Sequence, residues 1–170
     1  MLYVFTGDGK GKTTAAIGSL VRAYGAGKSC AIVFFDKNSD YCNELAALRE
    51  LGIQSHIFGL NRVYEGYFRA ENSEGDFFEA GKALDKAYEL ISDGIEMLVL
   101  DEFLNVLRLN QLPLEEGLKL IDSFPKEKHL FLTGRGLPEE VADRADLVSE
   151  INKIKHPFEA GVKAERGIDF

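Results

Sequence analysis

A chain of 170 residues, 45% hydrophobic and 28% charged, suits one globular unit over residues 1–170, long enough to bury about 70% of its extended surface. Its formal net charge of −8 argues against nucleic acid as a main partner, because that binding needs a basic face; a free nucleotide, held by a few N–H groups, one lysine and a metal ion, stays open. No stretch reaches the length of a membrane span, the first residues lack a secretory layout, and the cysteines Cys30 and Cys42 have no metal-ligand spacing. No membrane association, reduced thiols and a cytoplasmic location are therefore expected.

The chain opens on a short apolar run, Leu2 to Phe5, that stops at Thr6-Gly7-Asp8-Gly9-Lys10-Gly11-Lys12-Thr13-Thr14. An alanine-rich helical segment follows at once. Buried strand, glycine-rich turn and helix start, in that order, are the context of a phosphate-binding loop. Gly7, Gly9 and Gly11 are expected to take positive φ and to turn successive N–H groups inward as an anion nest. Lys12 is expected to reach phosphate oxygens and the Thr13 hydroxyl to ligate Mg²⁺. The usual pattern Gly-x-x-x-x-Gly-Lys-Ser/Thr would place glycine at position 6, where this chain has Thr6 followed by Gly7. A glycine-rich turn that merely links strand to helix is the plain alternative; Gly-Lys-Thr set between strand and helix favours the nucleotide site.

Ala16, Leu20, Ala23 and Tyr24 recur at helical spacing until Gly25 and Gly27 end the helix. Ser29 to Phe35 is continuously apolar at its centre, as in a parallel strand covered on both faces, and Asp36 to Asp40 forms a polar loop at its carboxyl end. A second helix is predicted from Asn43 to Leu51 and a shorter strand from Ile53 to Phe58, whose His56 reads as structural. Gly59 to Gly75 lacks periodicity and carries Arg62, Tyr64, Tyr67, Phe68 and Arg69. It is either a functional lid or a segment whose aromatics pack onto the sheet.

A long amphipathic helix is predicted from Asp76 to Ser92. Glu96 to Glu102 (EMLVLDE) then reads as an apolar strand ending in adjacent carboxylates, either an ordinary solvated turn or, as the pairing with the first motif favours, the second half of a P-loop site, where an acid orders Mg²⁺ or its waters. Leu112-Pro113-Leu114-Glu115-Glu116 starts another helix. His129 to Thr133 is a further strand running into Gly134-Arg135-Gly136, which points Arg135 toward the ligand crevice of an open α/β sheet. A short helix from Pro138 to Arg144, a last strand from Leu147 to Ile151 and an ordered tail complete the chain. The alternation specifies an α/β fold with a mainly parallel sheet flanked by helices.

These residues resemble the P-loop ATP:corrinoid (cob(I)alamin) adenosyltransferases. The likeness runs nearly the whole chain: TGDGKGKTTAA at 6–16, LVLDE at 98–102, LPLEE at 112–116, TGRG at 133–136, Ala145-Asp146-Leu147-Val148 with Glu150, and the ending that includes KHPF, AGVKA and GIDF. That ending is far more specific than the loop.

The resemblance implies a P-loop NTPase-like, RecA-like three-layer fold. It also implies transfer of the 5′-deoxyadenosyl group of ATP to the Co(I) of a corrinoid, releasing triphosphate. By motif match, Thr13 and Glu102 would be Mg²⁺ ligands; Asp8, Gly9, Lys10, Gly11, Lys12 and Thr14, with Gly7, the triphosphate cradle; and Lys12 and Glu102 the groups that carry catalysis. Arg22 and Arg135 match family arginines. A homodimer is implied, and a reductant protein is a possible partner. Two features depart from the family: the chain begins at the strand without a preceding segment, and Gly59-Leu60-Asn61-Arg62 stands where many members have Gly-Phe-Thr-Trp in the corrinoid-facing loop. The rival readings are an ordinary phosphotransferase or NTPase that releases ADP, and a nucleotide-responsive module without catalysis.

Overall fold

Six of the strands lie in one sheet, and every pairing in it is parallel. The computed structural model describes residues 1–38, 42–61, 63–64, 67–69 and 71–168. In chain order the elements are β1 (Leu2–Thr6), α1 (Lys12–Gly25), β2 (Cys30–Phe34), α2 (Glu44–Glu50), β3 (Gln54–Ile57), β4 (Val63–Tyr64), β5 (Tyr67–Phe68), α3 (Glu74–Ser92), β6 (Met97–Asp101), α4 (Phe103–Arg108), α5 (Leu114–Ser123), β7 (His129–Thr133), α6 (Glu139–Ala142) and β8 (Leu147–Glu150), before a 3₁₀ turn at Pro157–Ala160. The sheet order is β3-β2-β6-β7-β1-β8, and β4 and β5 form a separate antiparallel pair.

Alternate strand residues face opposite layers, which is why the strands read as unbroken apolar runs. Ala31, Val33, Leu98, Leu100, Leu130 and Leu132 pack with α3, α4 and α5 on one face. Ile32, Phe34, Met97, Val99 and Phe131 pack with α1 and α2 on the other. Phe34, Phe35 and Phe103 are among the largest fully buried side chains, each contributing about 1.5–3 kcal/mol by burial. The three-layer α/β architecture expected from the sequence is present.

Register places the site. Phe34 pairs with Asp101, Leu100 with Leu132, and Phe5 with Thr133. The carboxyl ends of β2, β6, β7 and β1 are therefore level, and the loops that leave them share one edge of the sheet. β7 separates β1 from β6, so Thr133 stands between the glycine loop and the acidic strand end.

Two helices differ from the sequence reading. The long helix starts two residues earlier, at Glu74, because Ser73 and Asp76 form a reciprocal capping box, with the Ser73 N–H donating to Asp76 Oδ2 at 2.6 Å. Helix α4 was not predicted; its buried Phe103, Leu104, Val106 and Leu107 follow helical spacing but are separated from the apolar run of β6 only by Asp101 and Glu102. Within Gly59–Gly75, Arg69 is bound to the capping carboxylate of Asp76 at 2.6 and 2.9 Å, a structural role. Arg62 and the side chains of Tyr64, Tyr67 and Phe68 lie outside the described residues.

Candidate functional site

The glycine loop between β1 and α1 is shaped by three different constraints. Gly7 and Gly11 have φ of +100° and +118°, values that penalise any residue with a Cβ. Gly9 does not take positive φ, contrary to the sequence expectation. It is glycine because the chain after β8 crosses directly behind it: a Cβ there would stand 2.6 Å from the Ile151 carbonyl oxygen. The Gly9 N–H donates to that same oxygen at 2.7 Å, so this amide faces the C-terminal segment rather than an anion. Gly11, by contrast, faces open space, with nothing within 4 Å of where a Cβ would stand, and helix α1 begins beside it without any side-chain cap. The uncapped first turn and the open space at Gly11 together leave room and N–H donors for an anion.

Lys12, the first residue of α1, is buried, and its ammonium donates to the carbonyls of Gly7 and Gly9, both at 2.8 Å. The loop is thus folded around its own lysine. Burial lowers the Lys12 pKa below the ordinary value, against the opposing pull of Glu102. An ammonium held only by neutral carbonyls in a partly dry loop is poised for a stronger, anionic acceptor.

At the end of β6 the two adjacent carboxylates have different surroundings. Asp101 is fully buried; its Oδ1 accepts from the Thr133 hydroxyl at 2.6 Å and its Oδ2 from Lys37 Nζ at 2.5 Å. Glu102 sits at φ +59°, which swings its side chain out of the strand alternation. Its N–H donates to Thr133 Oγ1 at 2.9 Å, and its carboxylate accepts from Asn105 Nδ2. Burial first, and the Asp101 charge second, push the Glu102 carboxyl above the usual carboxylate range. Asn105 Oδ1 meanwhile accepts from the Arg135 N–H at 2.8 Å, so one amide ties the Glu102 carboxylate to the β7–α6 turn.

These elements enclose a cavity of about 1070 Å³. Asp8 through Thr14 line it, together with Glu102 and Arg135, so the structure brings together every sequence-predicted site residue except Gly7. Gly7 lies on a smaller cleft behind the loop with Gly136 and Glu150. Asp8 and Arg135 face each other 3.8 Å apart at the exposed mouth, too loose and too wet for more than a marginal contribution. Arg22 is not among the lining residues.

Sequence reasoning missed other parts of the wall: Lys37 and Asn43 from the β2–α2 connection, Glu44 at the start of α2, and Lys153 and His156 from the C-terminal segment. Lys37 carried one usable signal, a lone cation just beyond the carboxyl end of a buried parallel strand. The tail, whose His156 belongs to the KHPF stretch, was legible as a family signature but not as part of the cavity wall.

The donor set suits a hard divalent ion that shares its shell with substrate. Thr13 and Glu102 face one cavity, and the described residues hold no cluster of three or more His, Cys, Asp or Glu side chains fit to bind a metal alone. Mg²⁺ keeps several waters and takes one or two protein oxygens plus phosphates, so such a sparse set fits it better than an all-protein cage does. Among the described residues, no helix is long and apolar enough to cross a membrane.

A family model described as ATP:corrinoid adenosyltransferase BtuR/CobO/CobP matches residues 1–170. The chain is 36% identical over 171 residues to the corrinoid adenosyltransferase CobA of Salmonella typhimurium, covering all of this chain and 85% of that protein. It is 34% identical over 171 residues to the corrinoid adenosyltransferase of Escherichia coli K12, with the same coverage. The corrinoid adenosyltransferase of a Sinorhizobium species is 37% identical over 176 residues, spanning this whole chain and 80% of the relative.

Proposed function

The chain belongs to the ATP:corrinoid adenosyltransferase BtuR/CobO/CobP family, and on that premise we propose how its own residues move the 5′-deoxyadenosyl group of ATP onto a corrinoid. The family assignment disfavours the phosphotransferase and non-catalytic readings of the loop. In the reaction, the electron pair of Co(I) forms a bond to the ribose 5′-carbon, the bond from that carbon to oxygen breaks, and triphosphate leaves. The corrinoid supplies the nucleophile, so no side chain need act as one. The chain must instead hold the two substrates in line and stabilise the negative charge that develops on the departing oxygen.

Lys12 is assigned to that charge. Its ammonium now rests on the Gly7 and Gly9 carbonyls; with triphosphate in the loop it exchanges these neutral acceptors for anionic ones, adding the attraction of opposite charges to each hydrogen bond. Removing one such donor from a site of this kind costs on the order of 10²–10³ in kcat. The open N–H groups at Gly11, Thr13 and Thr14 complete the cradle, with Asp8 and Lys10 at its exposed rim. Thr13 and Glu102 would hold Mg²⁺, which when bound neutralises charge on the leaving triphosphate. Asn105 holds Glu102 Oε2, leaving the other carboxylate oxygen for the metal, the usual way an outer group orients a ligand. Arg135 is assigned to the outer phosphate oxygens.

The segment from Gly59 to Gly75, carrying Leu60 and Arg62 in place of the family's aromatics, is proposed as the corrinoid-facing wall. A homodimer is proposed as the working form, testable by sedimentation. The observation that carries this reading is the Lys12 ammonium, enclosed by its loop and lining the same cavity as Thr13 and Glu102. The test is anaerobic incubation with ATP, Mg²⁺ and chemically reduced corrinoid, with phosphorus NMR of the products. Inorganic triphosphate with a new cobalt–carbon spectrum supports the assignment; ADP and phosphate contradict it.

A further inference from the structure

Lys37 has no part in the steps above, yet it occupies a telling position. Its Nζ lies 2.5 Å from Asp101 Oδ2 and 3.4 Å from Thr13 Oγ1. A positive charge therefore already stands between the hydroxyl assigned to the metal and a fully buried carboxylate. Asp101 cannot turn away from it, because its other oxygen is fixed by the Thr133 hydroxyl at 2.6 Å. Burial pulls the ammonium toward neutrality, but the Asp101 and Glu102 charges outweigh burial and hold it above its ordinary pKa.

A purely structural ion pair is the plain alternative, since a buried lysine–aspartate pair often does no more than satisfy itself. The Lys37 side chain is 20% exposed while that of Asp101 is 0% exposed, and Lys37 lines the cavity. The pair is thus built at the cavity surface with its cation toward the ligand side. A divalent ion on the Thr13 oxygen, at the roughly 2.1 Å that Mg²⁺ requires, would meet this ammonium at the edge of its own coordination shell. Two neighbouring carboxylates cannot neutralise both cations; adding the negative charges of a polyphosphate can.

We propose that Lys37 holds the place of the divalent ion in the nucleotide-free enzyme and yields it when polyphosphate arrives, so that metal and nucleotide enter together. Once displaced, the ammonium faces the same polyphosphate from the cavity wall. The proposal rests on Thr13 and Glu102 being the metal ligands.

The test measures Mn²⁺ binding to the nucleotide-free, full-length protein by electron paramagnetic resonance, with no corrinoid and no turnover. Lys37→Met should tighten Mn²⁺ at least about tenfold over wild type, because a like charge is removed from the site, whereas Lys37→Arg should stay near wild type. Lys37→Gln keeps a neutral donor for Asp101 and should show the same tightening if the methionine variant does not fold. Unchanged or weaker Mn²⁺ binding in the neutral variants overturns the proposal; if Glu102→Gln still weakens Mn²⁺–ATP binding by about tenfold or more, the metal-site assignment survives that result. Tightening that persists when Glu102→Gln is added to Lys37→Met puts the ion elsewhere, and overturns both.

Discussion

The glycine loop at 7–11 and the C-terminal segment at 151–168 form adjoining parts of one cavity wall, yet only the loop shows its chemistry in its residues; the segment is legible only as a family signature. The loop is governed by local chemistry: positive φ at Gly7 and Gly11, a lysine, a hydroxyl and a helix start. The C-terminal segment has no periodicity and little regular structure, only a 3₁₀ turn at Pro157–Ala160. The two meet at Gly9, where the Ile151 carbonyl fills the space a side chain would need. A motif glycine can therefore owe its identity to a segment more than a hundred residues away, and a phosphate loop can depend on its backing as much as on its own residues.

That comparison can be broken most severely at the loop's cation. Lys12→Ala should lower ATP-dependent adenosyl transfer by at least about 10²-fold while circular dichroism and thermal melting stay near wild type. The lysine's partners are its own loop carbonyls. A large stability loss with little loss of turnover would make Lys12 structural.

The dependence on the C-terminal segment is sharpened by Gly9→Ala. The 2.6 Å approach to Ile151 leaves no room for a methyl, so overpacking should cost about 1–3 kcal/mol of stability and weaken ATP binding through displacement of residues 151–152. Hydrogen exchange should show extra opening in the C-terminal segment, far from the mutation in sequence. If exchange changes only within residues 7–14, the two stretches are not coupled.

Smaller effects belong to the carboxylate end. Glu102→Gln should raise the Mg²⁺ requirement by roughly 10- to 100-fold, and Asn105→Ala should move the same quantity by about tenfold, as loss of an orienting partner does. Because the Glu102 carboxyl sits above the usual carboxylate range, it takes up a proton earlier than an exposed acid as pH falls. Metal affinity should therefore decline on acidification at a pH above that expected of an exposed acid. Glu102→Gln should flatten that profile, and a profile unchanged by the substitution would remove Glu102 from the metal shell.

The same contrast explains how much could be read in advance. Strands β1, β2, β6 and β7 were legible because burial on both faces leaves no polar interruptions, and α1 because its start carries the phosphate motif. Helix α4 was hidden by its closeness to β6: two short apolar runs are separated only by Asp101 and Glu102, and the chain turns at the positive φ of Glu102. Glu102 was legible as a strand-end acid. The burial of Asp101 against Lys37 and Thr133 was not, because those partners come from different strands brought level by sheet register. Asn105 was missed for the same reason: its two partners, Glu102 and Arg135, lie on different turns.

The most direct measurement is a crystal structure with ATP and Mg²⁺ bound. The account predicts polyphosphate against Gly11, Thr13 and Thr14, with Lys12 Nζ turned from the Gly7 and Gly9 carbonyls onto phosphate oxygen and the metal between Thr13 and Glu102. A nucleotide bound elsewhere, or a loop still closed on its own lysine with ATP present, would contradict it.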